Sequence, residues 1–242
     1  METWRLITTW GASPAFNMGL DEALLGNSQA PTTLRLYSWS PDTLSLGYFQ
    51  RFADVRGTEV AGSVVRRITG GGAIHHTGEL TFSIVADAGH RLYAGPISAS
   101  YRRVHHVVAA ALAEHGVQAE LRGARALTSD REDTGMCFHH STELDLVWDG
   151  RKGVGSAQRR KSGRVLHHGS IKLHSSELEG DIAVADPSGS QLSEQQLGGT
   201  LRTTLGRILG VRLESDAPTA EERARAHELG SRYLDPAFVR RR

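Results

Sequence analysis

The segment Leu144-Asp145-Leu146-Val147-Trp148-Asp149-Gly150-Arg151-Lys152-Gly153-Val154-Gly155-Ser156-Ala157-Gln158 decides the fold class. Residues 144–148 are a short apolar run, and Asp149-Gly150 is the dipeptide that closes two-residue hairpins. Residues 152–158 then read as the returning strand, and 164–173 as a third strand after another short link. Links this short cannot hold a helical crossover, so neighbouring strands here are expected to run antiparallel.

Outward from that hairpin, residues 34–39 and 44–48 read as two strands around the turn Ser40-Pro41-Asp42. Residues 64–68 form another strand running into Gly70-Gly71-Gly72, and in 80–86 Leu80, Phe82 and Ile84 alternate with Thr81, Ser83 and Val85. Ser13-Pro14 opens a helix as N-cap and first-turn proline; Phe16, Leu20, Ala23 and Leu24 share a face, and Gly26-Asn27 closes it. Tyr101, Val104, Val107, Val108, Ala111 and Leu112 carry helical spacing before Gly116. Residues 122–140 lack periodicity and read as a long loop, a feature usually tied to function. Ser193-x-x-Gln196 and Thr219-x-x-Glu222 are capping boxes in a C-terminal part expected to be helical from about residue 190. The expectation is one α+β domain over residues 1–242, a mixed, largely antiparallel sheet flanked by helices, with no accessory domain.

Lys plus Arg number 28 and Asp plus Glu 27, a net charge of +1, which argues against a binder of nucleic-acid phosphates. Hydrophobic residues at 39% and charged residues at 23% describe an ordinary globular chain. One cysteine can form neither an internal disulfide nor a cysteine-based zinc site, and it fits a reducing, cytoplasmic compartment. The N-terminal residues contain no apolar signal core, and no run of 18 apolar residues occurs, so neither a signal peptide nor a membrane span is expected.

Three constellations carry chemistry. In Arg66-Arg67-Ile68-Thr69-Gly70-Gly71-Gly72-Ala73-Ile74-His75-His76, the glycines let backbone N–H groups approach a ligand, and the arginines are candidates to clamp a phosphate or carboxylate. No Gly-Lys-Ser/Thr follows, so this is not a P-loop; the same run also fits a tight turn between core strands. On an extended strand Gly153, Gly155 and Ala157 share a face almost free of side chains, which suits a long thin ligand or a closely packed neighbour. Cys137 lies in the aperiodic stretch, fifteen residues before Lys152, and the hairpin can bring the two together. A lysine beside a cysteine favours the thiolate over the thiol, which titrates near 8.5 when free; its amine is also a candidate proton acceptor, while a lone cysteine is commonly just a small buried hydrophobe. The twelve histidines include four adjacent pairs but no metal-binding spacing, so no metal is expected. His105-His106 reads as a solvated helix edge, and His76 and His168 as hydrogen-bonding pocket residues.

In this order the segments resemble the lipoate-attachment superfamily of lipoate–protein ligase A, the octanoyltransferases LipB and LipM, and biotin–protein ligase. The resemblance covers residues 15–173: the helix 15–25, Leu44-Ser45-Leu46-Gly47-Tyr48-Phe49-Gln50, the arginine–glycine run 66–76, Lys152 to Gln158, and the strand 164–173. Cys137-Phe138 is similar to the motif that carries the acyl-thioester cysteine in the LipM branch, whose lysine at the place of Lys152 tunes the thiol. Gly70-Gly71-Gly72 departs from the Gly-Gly-Arg common in that branch and matches many ligases, and His139-His140-Ser141-Thr142 replaces a small-residue and proline run. The resemblance implies an octanoyl transferase with catalytic Cys137 and Lys152. Substrate would be held by Arg67, Thr69, Gly70, Gly71, Gly72, His76, Gly155, Ser156, Ala157, His168 and Gly169. Octanoyl-acyl carrier protein would be the donor, and glycine cleavage H protein or an E2 lipoyl domain the acceptor, with no cofactor. An ATP- and Mg-dependent lipoate ligase, a lipoyl-domain amidotransferase and a non-catalytic carrier-binding module stay open as alternatives. Arg159, Arg160, Lys161 and Arg164 are candidates for a basic patch that steers acidic partners, and Arg240-Arg241-Arg242 reads as a solvated end.

Overall fold

The structure, a computed structural model, describes residues 1–189 and 192–242. In chain order the elements are β1 (Glu2–Ala12), α1 (Pro14–Gly26), β2 (Thr33–Trp39), β3 (Thr43–Leu46), β4 (Ser63–Arg66), β5 (Ile74–His76), β6 (Glu79–Asp87), α2 (Ile97–Ala113), β7 (Glu120–Leu121), β8 (Leu146–Trp148), β9 (Arg151–Lys161), β10 (Arg164–Lys172), α3 (Glu194–Leu209), β11 (Val211–Ser215), α4 (Ala220–Leu234) and α5 (Pro236–Val239). Eight strands form one sheet in the order β11-β1-β2-β6-β10-β9-β8-β7, and three form a second, β4-β3-β5. β1 runs parallel to β2 and β11, and the large sheet is otherwise antiparallel, which is the mixed α+β architecture expected.

The hairpin of β8 and β9 forms as read, with Asp149 (φ 50°) and Gly150 (φ 71°) in its turn and Trp148 opposite Arg151. Ser13 caps α1 by accepting the Phe16 N–H, and both downstream capping boxes close on α3 and α4. The strands read on either side of Ser40-Pro41-Asp42 form as β2 and β3 but join different sheets: β2 already has β1 and β6 on its edges, so the chain turns the corner and β3 joins β4 and β5. The sequence reading assigned no strand to β1 or β11: β1 lacks alternation because Trp4, Arg5, Leu6 and Ile7 are all buried, whereas β11 is a short edge strand between two helices. β11 also interrupts the C-terminal part expected to be helical; its expected start near residue 190 lies at residues outside those described, and α3 is the next element.

One face of the large sheet is covered by α2 and α3, where Phe82, Ile84, Val104, Val108, Leu197 and Leu201 belong to the main apolar core. On another side Leu20, Leu24 and Leu25 of α1 meet Ile7, Val85, Leu166 and Ala226 of α4. Burying each such side chain contributes about 1.5–3 kcal/mol, enough to hold the sheet as a rigid frame. Among the described residues, no helix is long and apolar enough to cross a membrane. The small sheet has its own apolar cluster, in which Leu44, Leu46 and Ala73 meet Met136. That contact carries the aperiodic stretch, and with it Cys137, to the place where the small sheet faces β9 and β10.

Candidate active site

The arginine–glycine run builds the seat for Cys137. The buried Arg67 guanidinium donates to the carbonyls of Ser45 (2.8 Å), Gly70 (2.8 Å) and Gly72 (2.7 Å), folding the loop around itself. Burial lowers its pKa to about 10, against an upward pull from Cys137. Arg66 donates to the carbonyls of Gly47, Gln50 and Val239. Arg66 and the two terminal nitrogens of Arg67 are thus committed to backbone carbonyls as structural ties, while Arg67 Nε has no hydrogen-bond partner and the residue borders the cavity described below. Gly71 takes φ 95°, a conformation that favours glycine. A Cβ on Gly72 would lie 2.7 Å from the Cys137 nitrogen, so the missing side chain lets the two backbones touch. Ala73 N–H then donates to Gly135 O (2.8 Å) and Cys137 N–H to Ala73 O (2.7 Å). Cys137 opens a short 3₁₀ turn ending at His139; Phe138 is fully buried while Cys137 keeps partial access to solvent.

β9 brings Lys152 to the same point by an irregularity. The register of β8 and β9 shifts between Leu146 and Val147, opposite Lys152 and Val154. This bulge puts Lys152 and Gly155 on one side although they are three apart: a Cβ on Gly155 would stand 3.1 Å from Lys152 Cε and 3.3 Å from Cys137 Sγ. It also removes Gly153 from the side-chain-free face proposed from alternation, since its Cβ position coincides with the Trp148 ring. Lys152 Nζ lies 3.4 Å from Cys137 Sγ and 2.9 Å from Asp145 Oδ2, and donates to the carbonyls of Cys137 (2.9 Å) and His140 (3.1 Å). Burial pulls the Lys152 pKa down, but Cys137 and Asp145 outweigh it and the net shift is upward. These surroundings hold an ammonium, not the neutral amine that a proton acceptor needs. Asp145 was missed in the sequence. Its signal was present as a lone acidic residue inside the otherwise apolar run 144–148, and the structure buries it to 5% exposure.

Beside the pair lies a partly open, largely apolar cavity. Cys137, Arg67, Gly70, Gly71, His76, Gly155, Ser156, Ala157, His168 and Gly169 border it, and Met18, Tyr37, Trp39 and Ile74 supply much of its apolar wall. Thr69 and Gly72 do not border it; Thr69 Oγ1 sits 2.6 Å from His168 Nε2, and Gly72 backs Cys137. His76 is fixed three ways: Nδ1 is 2.6 Å from Glu79 Oε1, Nε2 is 2.7 Å from Ser45 Oγ, and its ring stacks on Trp39 at 4.1 Å. Burial lowers its pKa despite Glu79. Glu79 is itself held by Lys172, whose Nζ lies 2.8 Å from Glu79 and 2.7 Å from Glu179.

Ser156 borders the cavity, yet its hydroxyl is turned to two buried imidazoles, His105 Nε2 (2.7 Å) and His167 Nε2 (3.0 Å). His105 Nδ1–H donates to Leu144 O, so its Nε2 accepts the Ser156 proton. His167 then donates from Nε2 and accepts from Gln158 at Nδ1. Every member is satisfied with both rings neutral, and burial lowers both imidazole pKa values. His105 is thus a fully buried strut, not the solvated edge expected; only His106 is exposed. The proposed basic patch also breaks up. Arg164 is buried against Asp87 (3.0 Å) and the Ala30 carbonyl, and Lys161 borders an open groove with Glu22, Glu221 and Glu228. Among the described residues, no three His, Cys, Asp or Glu side chains are grouped to hold a metal.

Residues 13–188 match the family model of the lipoyl protein ligase A/B catalytic domain. The chain belongs to this family. Within it, the octanoyltransferase LipM of Moorella thermoacetica is 40% identical over 225 residues, covering 88% of this chain and 81% of the relative. The octanoyltransferase LipM of Kyrpidia tusciae is 34% identical over 268 aligned positions, covering 97% of each chain. A bi-partite lipoate protein ligase from Thermoplasma acidophilum has the same fold, with TM-score 0.76 and 21% identity over 99% of this chain and 96% of that one.

Proposed function

We propose that the protein is an octanoyl transferase that moves an octanoyl group from an acyl carrier protein thioester to a lysine of a lipoyl domain. One observation carries the mechanism: the only cysteine of the chain stands 3.4 Å from a buried ammonium at the wall of an apolar cavity. The LipM octanoyltransferases at 34–40% identity support the overall reaction.

In the first half-reaction the Cys137 thiolate attacks the thioester carbonyl carbon. A C–Sγ bond forms, the bond to the carrier sulfur breaks, and the carrier leaves as a thiolate that takes a proton from water. Lys152 stabilises the attacking thiolate by charge, and Asp145 keeps that lysine ionised. The octanoyl chain lies in the cavity along Gly155 and Ala157, each buried methylene contributing about 0.8 kcal/mol. In the second half-reaction the neutral amine of the acceptor lysine attacks the same carbon. The C–Sγ bond breaks, its electron pair returns to Sγ facing Lys152, and the amine sheds a proton to solvent. Thioester exchange is near balance and amide formation from a thioester is downhill, so neither ATP nor a cofactor is required.

Intact mass of the protein after incubation with octanoyl-acyl carrier protein tests the reading. It should gain one octanoyl group, and Cys137→Ala should gain none. Octanoylation of a lipoyl domain by the alanine variant from free octanoate and ATP would overturn the reading in favour of a ligase.

A further inference from the structure

The rim above the cavity is built of aromatic rings and arginines that the mechanism does not use. Gly70 borders the cavity, and Phe49 lies over it: a Cβ on Gly70 would be 3.8 Å from Phe49 Cδ2. Phe49 is 62% exposed, an unusual place for a phenyl ring. Residues 239–242 are laid against 48–52: Phe52 N–H donates to Arg242 O (2.9 Å), and the Arg241 guanidinium to Tyr48 O (2.7 Å). Arg241 stacks 3.6 Å from the Tyr48 ring, Arg159 approaches that ring from β9 at 5.5 Å, and Arg242 lies 5.5 Å over Phe49. The end expected to be merely solvated is therefore packed on the rim.

Among the described residues, Arg159, Arg240, Arg241 and Arg242 make no ion pair, and the nearby pair is a loose Arg51–Asp54 contact at 3.9 Å. The field is felt locally: Arg241, then Arg159 and Arg242, pull the Tyr48 phenol below its usual range. Guanidiniums stacked on rings keep their N–H edges free for phosphate or carboxylate oxygens.

Building on the transferase reading above, we propose that this rim docks the acyl carrier protein, the donor. Its acidic face and the phosphodiester of its prosthetic arm meet the unpaired guanidiniums, while Tyr48 and Phe49 cover the arm as it enters beside Gly70. The rim suits the donor, because its arm carries a phosphodiester, an anion that guanidinium edges bind and that the acceptor's lysine side chain lacks.

The test uses Arg159→Glu/Arg242→Glu in the full chain, two surface changes that spare the backbone contacts of Arg241. Acylation of Cys137 is followed by intact mass with octanoyl-acyl carrier protein and with octanoyl-N-acetylcysteamine, a small uncharged thioester. Transfer from acylated enzyme to a lipoyl domain is followed separately. The carrier reaction should lose about tenfold or more in kcat/KM, mainly through KM, and lose its decline between about 50 and 300 mM salt. The small thioester and the transfer step should stay within about twofold. An unchanged carrier reaction, an equal loss with the small thioester, or a loss confined to the transfer step would each overturn the proposal. Failure of the parent protein to accept octanoyl from either thioester would instead refute the transferase reading itself.

Discussion

Removing the ammonium of Lys152 probes the chemistry most sharply. Two unit charges 3.4 Å apart attract by about 5 kcal/mol at an effective dielectric constant near 20. Cys137 is partly open to solvent, so roughly half of that survives screening, about 2–3 kcal/mol. Lys152→Met alone would strand the buried Asp145 carboxylate, which costs several kcal/mol of stability, about 3–5 for a broken buried pair. The informative variant is therefore Lys152→Met/Asp145→Asn, with a urea midpoint to show that it folds. Cys137 is the sole cysteine, so iodoacetamide reads that thiol and nothing else. Because the variant also removes the Asp145 negative charge, the loss is smaller than the lysine's attraction alone: alkylation at pH 7 should slow by about threefold or more, and octanoyl transfer onto the thiol should slow in step. A folded double variant alkylated and acylated at parental rates would refute the role given to the ammonium.

Other perturbations follow from the same geometry. Gly72→Ala puts a methyl 2.7 Å from the Cys137 nitrogen, so the seat must shift; urea unfolding should show a loss of about 1–3 kcal/mol together with slower alkylation of Cys137, and a fully stable, fully reactive variant would contradict the packing described. Ala157→Leu fills the cavity wall, so competition between octanoyl and hexanoyl carrier thioesters should move towards the shorter chain, at about 0.8 kcal/mol for each methylene no longer accommodated. Burial lowers the pKa values of His76, His105, His139 and His167 in the folded protein. As pH falls below about 6.5 the unfolded chain binds these protons first, so stability is lost on acidification, by about 1 kcal/mol between pH 7 and 5.5 for each ring that stays neutral. Urea midpoints that hold or rise over that interval would count against it.

The sequence was most informative where a local rule decides the outcome. Asp149-Gly150 set the β8–β9 hairpin, and Ser13-Pro14 set the start of α1. The glycine run was legible as a special loop, but whether its arginines faced a ligand or the backbone was not, because that depends on carbonyls up to 173 positions away. The pairing of Cys137 with Lys152 could be anticipated from the hairpin, yet the bulge that turns Lys152 towards the sulfur leaves no mark in strict alternation. β1 was hidden because a strand buried on both faces has no polar period to read, and β11 because its alternation spans only five residues between two helices. His105 was misjudged because its partners, Ser156 and Leu144, lie 51 and 39 residues away.

The most direct measurement isolates the acyl-enzyme. Protein loaded from octanoyl-acyl carrier protein, freed of donor and mixed with a lipoyl domain without ATP, should return to its unmodified mass while the lipoyl domain gains one octanoyl group. Octanoyl that stays on the enzyme, or reaches the acceptor only when ATP and free octanoate are supplied, would contradict transfer through Cys137.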